Sequence, residues 1–295
     1  MQIITSSQEL RAKLGGARSQ GLSVGFVPTM GALHPGHLSL VQIARQASSF
    51  VAMSIFVNPL QFNNQADLEK YPRTLERDAE LARSAGVDLL FAPAVDDLYA
   101  RPPTNSTDTI PRTRIVAGAA AGVLEGPSRP GHFDGVTTVV GMLFNLVQPD
   151  CAVFGEKDFQ QLRVIEEMVR DLHFPVRIIP GPTLRDPDGL AMSSRNARLS
   201  PEQRQRAVEI PKALAWAQSA AQQGALNAQS LALEVRNRLE GLGNLKVDYV
   251  EVVDSKSLSQ HTEITSNSQI LVAAFVDSVR LIDNARLLGN RLKVG

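Results

Sequence analysis

The sequence is short of cysteine: Cys151 is the only one in 295 residues. No intrachain disulfide can form, and a cysteine-based zinc cluster is excluded. An excess of charge is missing too. Thirty basic side chains face 30 acidic ones, and a division at residue 184 leaves 16 against 18 before it and 14 against 12 after it. Neither part offers a basic face or tail to nucleic acid or anionic lipid. No apolar run reaches the roughly 18 residues of a membrane span. Ile3-Ile4 is too short for the apolar core of a signal peptide ahead of Glu9, the first charged side chain. Glycine and proline are not in excess, and 43% of the residues are hydrophobic, enough to build the cores of two modest domains. Two nucleotide signatures are absent as well. None of the seven lysines follows a glycine, which removes any G-x-x-x-x-G-K-[ST] loop, and no G-x-G-x-x-G follows a strand. These absences leave a soluble protein of a reducing compartment, expected in the cytoplasm, in which any phosphate would be bound by another device.

What is present alternates. Leu22–Pro28 is short, apolar and β-favouring, and a glycine-containing turn leads from it into the amphipathic stretch Gly36–Ala47. Phe50–Val57 reads as a buried strand, Asp67–Ala85 as a helix and Val87–Ala92 as a strand. Then come a helix over Gly131–Leu146, a strand over Cys151–Phe154, a helix over Asp158–His173 and a strand over Val176–Ile179. Buried strands alternating with helices predict a parallel sheet covered on both faces. Two loops interrupt the pattern, Arg101–Arg114 and Pro180–Ser200, both marked by proline. Beyond the second, helices over Pro201–Gln223 and Asn227–Glu240 precede strands over Lys246–Val253 and Gln269–Val276. The expected organisation is a Rossmann-like α/β domain over residues 1–184 and a smaller α+β domain over 185–295.

The chemistry concentrates where strands hand over to helices. PTMGALHPGH, Pro28–His37, lies between the first strand and the first long helix, the position at which open α/β sheets bind nucleotides. A helix N-terminus there presents unpaired N–H groups to phosphate. Pro35 suits the first helical turn, Gly36 lets a ligand approach the backbone, and His34 and His37 share one side of that turn. Lys157 sits near the start of the next such helix, where a compact cation suits phosphate and a solvated lysine is the plain alternative. Asp158 and Gln161 have the spacing of a capping box. Gln61 follows the buried strand in a loop and, read alone, would be solvated. Met192–Asn196 (MSSRN) offers two hydroxyls and a guanidinium, or else forms a plain connecting loop. Arg129 and His132 lie in a Gly/Pro turn, and Asp78 reads either as a metal-facing carboxylate or as part of an exposed helix start.

Six blocks, PTMGALHPGH, SIFVNPLQF (Ser54–Phe62), YPRTLERD (Tyr71–Asp78), RPGHFDGV (Arg129–Val136), FGEKDFQQL (Phe154–Leu162) and DGLAMSSRN (Asp188–Asn196), stand in an order and spacing that resemble the pantoate–β-alanine ligase family. VAAFVDSVRLIDN (Val272–Asn284) resembles that family's C-terminal end, and Leu60 stands where the family commonly has Met. The resemblance implies a Rossmann-like domain of the class I aminoacyl-tRNA synthetase and nucleotidyltransferase type, followed by a small C-terminal domain. It implies ATP as a substrate with Mg²⁺, a pantoyl adenylate intermediate, release of pyrophosphate and AMP, and a homodimer.

Residue by residue, the resemblance places Met30, Gly31, Ala32, Leu33, His34, Pro35, Gly36 and His37 against ATP, with His37 as proton donor. Gly155, Glu156, Lys157, Asp158, Leu184, Met192, Ser193, Ser194 and Arg195 are given to ATP as well. Of these, Lys157, Ser193 and Arg195 join the two histidines as catalytic groups. Gln61, Gln161 and, secondarily, Asn58 would contact pantoate. Gln61 would also neighbour β-alanine, and Pro28, Met30, Phe62, Val139 and Val140 would form the apolar side. Two other activities share parts of this signature: a nucleotidyltransferase, which keeps the nucleotide in its product, and a non-catalytic nucleotide-binding module.

Overall fold

The computed structural model describes residues 1–63, 68–99, 111, 113–225, 227–241, 245–290 and 292. The chain divides into two compact units, one of Met1–Glu156 with Val164–Gly181, the other of Lys157–Arg163 with Pro182–Gly295.

The first unit is built on six parallel strands: β1 (Gln2–Ile4), β2 (Val24–Thr29), β3 (Phe50–Ile55), β4 (Leu89–Phe91), β5 (Cys151–Gly155) and β6 (Arg177–Gly181). Their order across the sheet is β1-β4-β3-β2-β5-β6. Its helices are α1 (Ser7–Ser19), α2 (Pro35–Ala47), α3 (Leu75–Ala85) and α4 (His132–Val147). Val27, Val51, Met53, Leu90 and Val153 pack with Val41 and Ala44 of α2 and Ala79 and Ala82 of α3. The alternate strand residues Phe26, Ala52, Leu89 and Ala152 are equally buried. Side chains alternate faces along a strand, so both faces of the sheet are covered, which is why these strands read as continuous apolar runs. The chain moves from β2 toward β4 in one direction and resumes at β5 on the other side of β2. The order therefore reverses between β2 and β5, and the loops leaving their carboxyl ends flank the switch-point crevice.

The second unit pairs β7 (Lys246–Asp254), β8 (Ser268–Val276) and β9 (Val279–Arg286) into an antiparallel sheet. A helix running from Phe159 to Asp171 begins in this unit and ends in the first, and we number it α5; α6 (Pro201–Ala207), α7 (Glu209–Gln222) and α8 (Ala228–Gly241) follow. Leu214 and Ala217 of α7 and Leu231, Val235 and Leu239 of α8 pack on Val250, Val252, Ile270, Val272 and Ala274. This is the α+β arrangement that the pattern predicts.

Several elements differ from expectation. β1 and α1 are additional: β1 is a three-residue edge strand, and α1 carries Gly15-Gly16 in its middle, which lowers helix propensity. β9 is additional as well, joined to β8 by the two-residue turn Asp277-Ser278, in which Asp277 takes φ +53°. The single helix expected over Pro201–Gln223 is two, because Pro211 has no N–H to donate and its ring crowds the carbonyl of Ala207. The helix expected over Asp67–Ala85 is not continuous: residues 68–69 are helical and a separate helix runs over Leu75–Ala85. Pro72 disfavours helix at the residue before it, and Asp67 lies outside the described residues. Of the loop Arg101–Arg114, residues 101–110 and 112 also lie outside them.

Cys151 lies in β5, buried in the sheet. Burial raises its thiol pKa by more than nearby Arg177 lowers it. A thiol kept protonated and out of solvent reacts poorly. The native protein should resist a thiol reagent such as DTNB for minutes and release one equivalent of chromophore on unfolding in guanidinium. Full reaction within seconds in buffer would contradict this placement.

Candidate functional site

The turn after β2 carries the centre of the first unit's chemistry. Gly31 and Ala32 both take positive φ, +84° and +50°, and this left-handed path points successive N–H groups one way. The N–H groups of Ala32 and Leu33 donate to Asp78 Oδ2 and Oδ1, each at 2.8 Å. Thr74 Oγ1 donates to Oδ2 at 3.2 Å. Asp78 is 1% exposed in the first turn of α3. It is neither an exposed helix start nor a metal ligand held toward solvent, but the internal anion around which the turn is wound. Thr29 adds a second tie, its hydroxyl donating to the Ser54 carbonyl at 2.7 Å and accepting from Gly31 N–H at 3.2 Å.

The turn then enters α2 through a reciprocal cap made of two imidazoles. His34 is the N-cap, and its Nδ1 accepts from Gly36 N–H at 3.2 Å. His37 Nδ1 accepts from His34 N–H at 3.4 Å. Pro35 occupies the first helical position, as its fixed φ favours. A nitrogen that accepts from a backbone N–H carries no proton, so each neutral ring has its proton on Nε2. The rings lie 4.1 Å apart between centroids at 43°. The capping geometry thus fixes tautomer and direction in both histidines, and sets their donor nitrogens at the positive end of a helix dipole.

Asn58 and Gln61 lie on a 3-10 turn after β3, Pro59–Gln61, that α4 approaches closely. A Cβ on Gly135 would stand 2.6 Å from the carbonyl carbon and oxygen of Leu60, so only glycine lets the two backbones meet. Gln61 is 8% exposed, not solvated. Its backbone carbonyl accepts from His132 Nδ1 at 2.8 Å and from Arg129 Nη2 at 3.4 Å. The Gly/Pro turn residues Arg129 and His132 are therefore both brought to Gln61. Asn58, 1% exposed, faces inward: its amide N–H groups donate to Gln61 Oε1 and Gly135 O, and its oxygen accepts from Leu60 N–H and Tyr99 O–H. Both donors and both acceptor directions of that side chain are engaged by protein.

In the second unit, the 3-10 turn Glu156–Asp158 runs directly into α5 and carries Lys157, with Gln161 in the first helical turn. Lys157 is half-buried, and its Nζ lies 3.6 Å from Asp158 Oδ1. MSSRN forms a further 3-10 turn, Ser194–Arg198, capped by Ser193, whose Oγ accepts from Arg195 N–H at 3.2 Å. Lys157, Ser193, Arg195, Asn196, Arg280 and Asp283 line one cleft. Lys157, Arg195 and Arg280 bring cations to the cleft, Arg280 paired with Asp248 at 2.7 Å and Lys157 close to Asp158, and a polyanion suits cations so placed. The scaffold behind it is β9. Asp283 receives both arms of Arg185, at 2.6 and 2.9 Å, and Arg185 also donates to Gly189 O. Asn284 donates to the Lys157 carbonyl at 3.1 Å. Two adjacent strand residues thus hold the base of the MSSRN hairpin and the lysine turn. Arg185, Arg280, Asp283 and Asn284 were not singled out from the sequence, although three of them lie inside a block that carries the resemblance.

A parallel sheet whose switch point is entered by a histidine-capped helix, with a cationic cleft on an α+β unit, defines a phosphate-handling enzyme of the nucleotidyltransferase-like fold. Comparison with known proteins makes this specific. The family model described as pantoate-beta-alanine ligase matches residues 2–286. The pantothenate synthetase of Aquifex aeolicus is 46% identical over 278 residues, covering 94% of this chain and 95% of the relative. That of Hahella chejuensis is 48% identical, with 94% and 95% covered. A crystal structure of pantothenate synthetase from Thermus thermophilus superposes with a TM-score of 0.89 at 44% identity, covering 98% of this chain and all of the other. The Francisella tularensis ligase, complexed with "Beta-gamma ATP and Beta-alanine", superposes at 0.78 with 34% identity, covering 98% and 99%. The chain belongs to the pantoate–β-alanine ligase family.

The carboxylate under the turn gives a direct test. Replacing Asp78 by Ala leaves two backbone donors without their acceptor, at about 1–3 kcal/mol each. Urea unfolding of Asp78→Ala should show a loss of about 3 kcal/mol, and ligase kcat should fall at least about tenfold as the histidines lose their register. Thr74→Ala, which removes only the supporting hydroxyl, should cost about 1 kcal/mol. Equal stability in wild type and Asp78→Ala would contradict the assignment.

Proposed function

We propose that the chain makes pantothenate in two half-reactions at the expense of ATP. In the first, a pantoate carboxylate oxygen attacks the α-phosphorus, a P–O bond forms, the bond to the bridging oxygen breaks, and pyrophosphate leaves. In the second, the β-alanine amine attacks the acyl carbon of the pantoyl adenylate. The amide C–N bond forms, the acyl C–O bond breaks, and AMP leaves with that carboxylate oxygen while the amine sheds its proton to solvent or a nearby base. The Francisella relative's complex with an ATP species and β-alanine supports both as substrates.

The observation that carries this reading is the reciprocal histidine cap, which engages the Nδ1 of both rings and leaves Nε2 as the donor of each at the start of α2, the helix that follows β2. In this reading Met30–His37 line the ATP site, and His34 and His37 donate to phosphate oxygens as charge grows, with His37 the proton donor. Gly155, Glu156, Asp158, Leu184 and Met192 contact the nucleotide. Lys157, Ser193, Ser194 and Arg195 hold phosphate oxygens and the departing pyrophosphate. Gln61 and Gln161 bind pantoate, and Gln61 neighbours β-alanine in the second step. Among the described residues no three His, Cys, Asp or Glu side chains gather to hold a metal ion. In this reading Mg²⁺ enters on the nucleotide's own phosphates. A homodimer in the cytoplasm completes the reading; light scattering of the purified chain reports the first of these. Among the described residues no helix is long and apolar enough to cross a membrane.

The adenylate route has its own isotope signature. Pantoate labelled with ¹⁸O in its carboxylate should deliver label to AMP, and ATP–pyrophosphate exchange should require pantoate but not β-alanine. Label in inorganic phosphate, with ADP as product, would sink the route. Loss of one preorganised donor costs about 10²–10³ in rate. His37→Ala and Lys157→Ala should therefore slow single-turnover adenylate formation by that factor while their unfolding midpoints stay close to wild type.

A further inference from the structure

Tyr99 follows the short helical turn Val95–Leu98 of the first unit, with its ring buried and edge-on to Phe56 at 5.5 Å between centroids. Burial raises its ionisation above the usual phenol value, so the hydroxyl keeps its proton. That hydroxyl meets Asn58 Oδ1 at 2.6 Å. Main-chain groups identify the Asn58 atoms without ambiguity. Leu60 N–H can only donate, so the atom it meets at 3.0 Å is oxygen. The Gly135 carbonyl can only accept, so the atom facing it at 3.0 Å is nitrogen. Tyr99 must therefore donate to Asn58, and the second amide hydrogen of Asn58 goes to Gln61 Oε1 at 3.1 Å. With its oxygen so held, Gln61 turns its Nε2 the other way, toward Met30 Sδ at 2.9 Å. Thioether sulfur is a weak acceptor, one that an oxygen of a ligand readily replaces.

We propose that Tyr99 is a positioning residue for pantoate: its O–H holds Asn58, Asn58 holds the oxygen of Gln61, and Gln61 thereby offers N–H donors to acceptor oxygens of the substrate. This rests on the reading that Gln61 binds pantoate. Without the phenol hydroxyl, Asn58 loses one of the two donors on its oxygen. Leu60 N–H and Gly135 O still keep the amide the same way round, but the side chain is held less firmly and Gln61 Oε1, which it anchors, loses its fixed position. The effect is expected chiefly on pantoate, because the relay ends at the amide of Gln61; of the residues assigned to ATP it meets Met30, through the weak contact of Gln61 Nε2 with the thioether.

The test is steady-state kinetics of the full chain with each substrate varied in turn. Tyr99→Phe should raise the KM for pantoate about tenfold, with kcat within about threefold and the KM for ATP within about twofold. Gln61→Ala should raise the pantoate KM by about 10². In the double variant, Tyr99→Phe should add less than about twofold, since the amide it positions is gone. A pantoate KM unchanged by Gln61→Ala overturns the reading of Gln61 and the proposal with it. A rise in Gln61→Ala with none in Tyr99→Phe, or effects that multiply in the double variant, overturns the role of Tyr99 and leaves that of Gln61 standing. If Tyr99→Phe does not fold, Asn58→Asp tests the same relay, because it keeps both acceptor contacts and loses the donors to Gln61 Oε1 and to Gly135 O. The same pantoate-selective rise is expected there, and an unchanged pantoate KM overturns the relay.

Discussion

A carboxylate buried under a backbone turn holds the site of the first unit together. Asp78 accepts the N–H groups of Ala32 and Leu33, and without it the two left-handed residues in succession would keep only the tie from Thr29 to Gly31 N–H. Charge-assisted hydrogen bonds are worth about 1.5–3 kcal/mol each, enough to offset the strain of a non-glycine residue at positive φ, about 1–3 kcal/mol. The direction of the chain at Leu33 then fixes where His34 caps α2, and the cap fixes both imidazoles. The order of dependence runs from carboxylate to turn, from turn to cap, and from cap to the two donor nitrogens.

The rest of the candidate site follows the same logic of indirect support. Gln61 is held through its backbone by His132 and Arg129 and through its side chain by Asn58. In the second unit, Asp283 and Asn284 of β9 steady the hairpin base and the lysine turn. Asp78, His132, Asp283 and Asn284 act from a helix or strand, whereas Asn58 and Arg129 act from turns, and the groups that would meet ligand lie on short 3-10 turns or at a helix start. Rigid supports keep the donors aligned before substrate arrives, so less reorganisation is needed during reaction. The buried supports are polar and fully partnered in every case named, the condition under which polar burial rigidifies rather than destabilises.

Much of this was legible in the residues. The alternation of apolar strands and amphipathic helices gave the parallel sheet, because strands covered on both faces must be apolar throughout. The position of PTMGALHPGH between β2 and α2 marked the helix start at the sheet's switch point, because proline suits the first helical position and glycine the turn before it. Elements with weak local signals were missed. β1 has three residues, and α1 buries Leu10, Leu14 and Ala17 at helical spacing but interrupts them with two glycines. β9 hides its turn in Asp277-Ser278, which carries no glycine.

The sequence by itself determined the class of fold, the handover points that carry chemistry and, through six blocks in register, the family to which the chain belongs. Only the tertiary structure decided which polar residues are buried as supports and which groups they hold. Asp78, Tyr99 and Asp283 lie on elements distant in sequence from the groups they hold, 45 residues separating Asp78 from Leu33, 41 separating Tyr99 from Asn58 and 98 separating Asp283 from Arg185. A carboxylate in a helix start and an amide in a loop look solvent-facing on any local reading. Their burial is set by what folds against them, a nonlocal fact that neither periodicity nor spacing encodes.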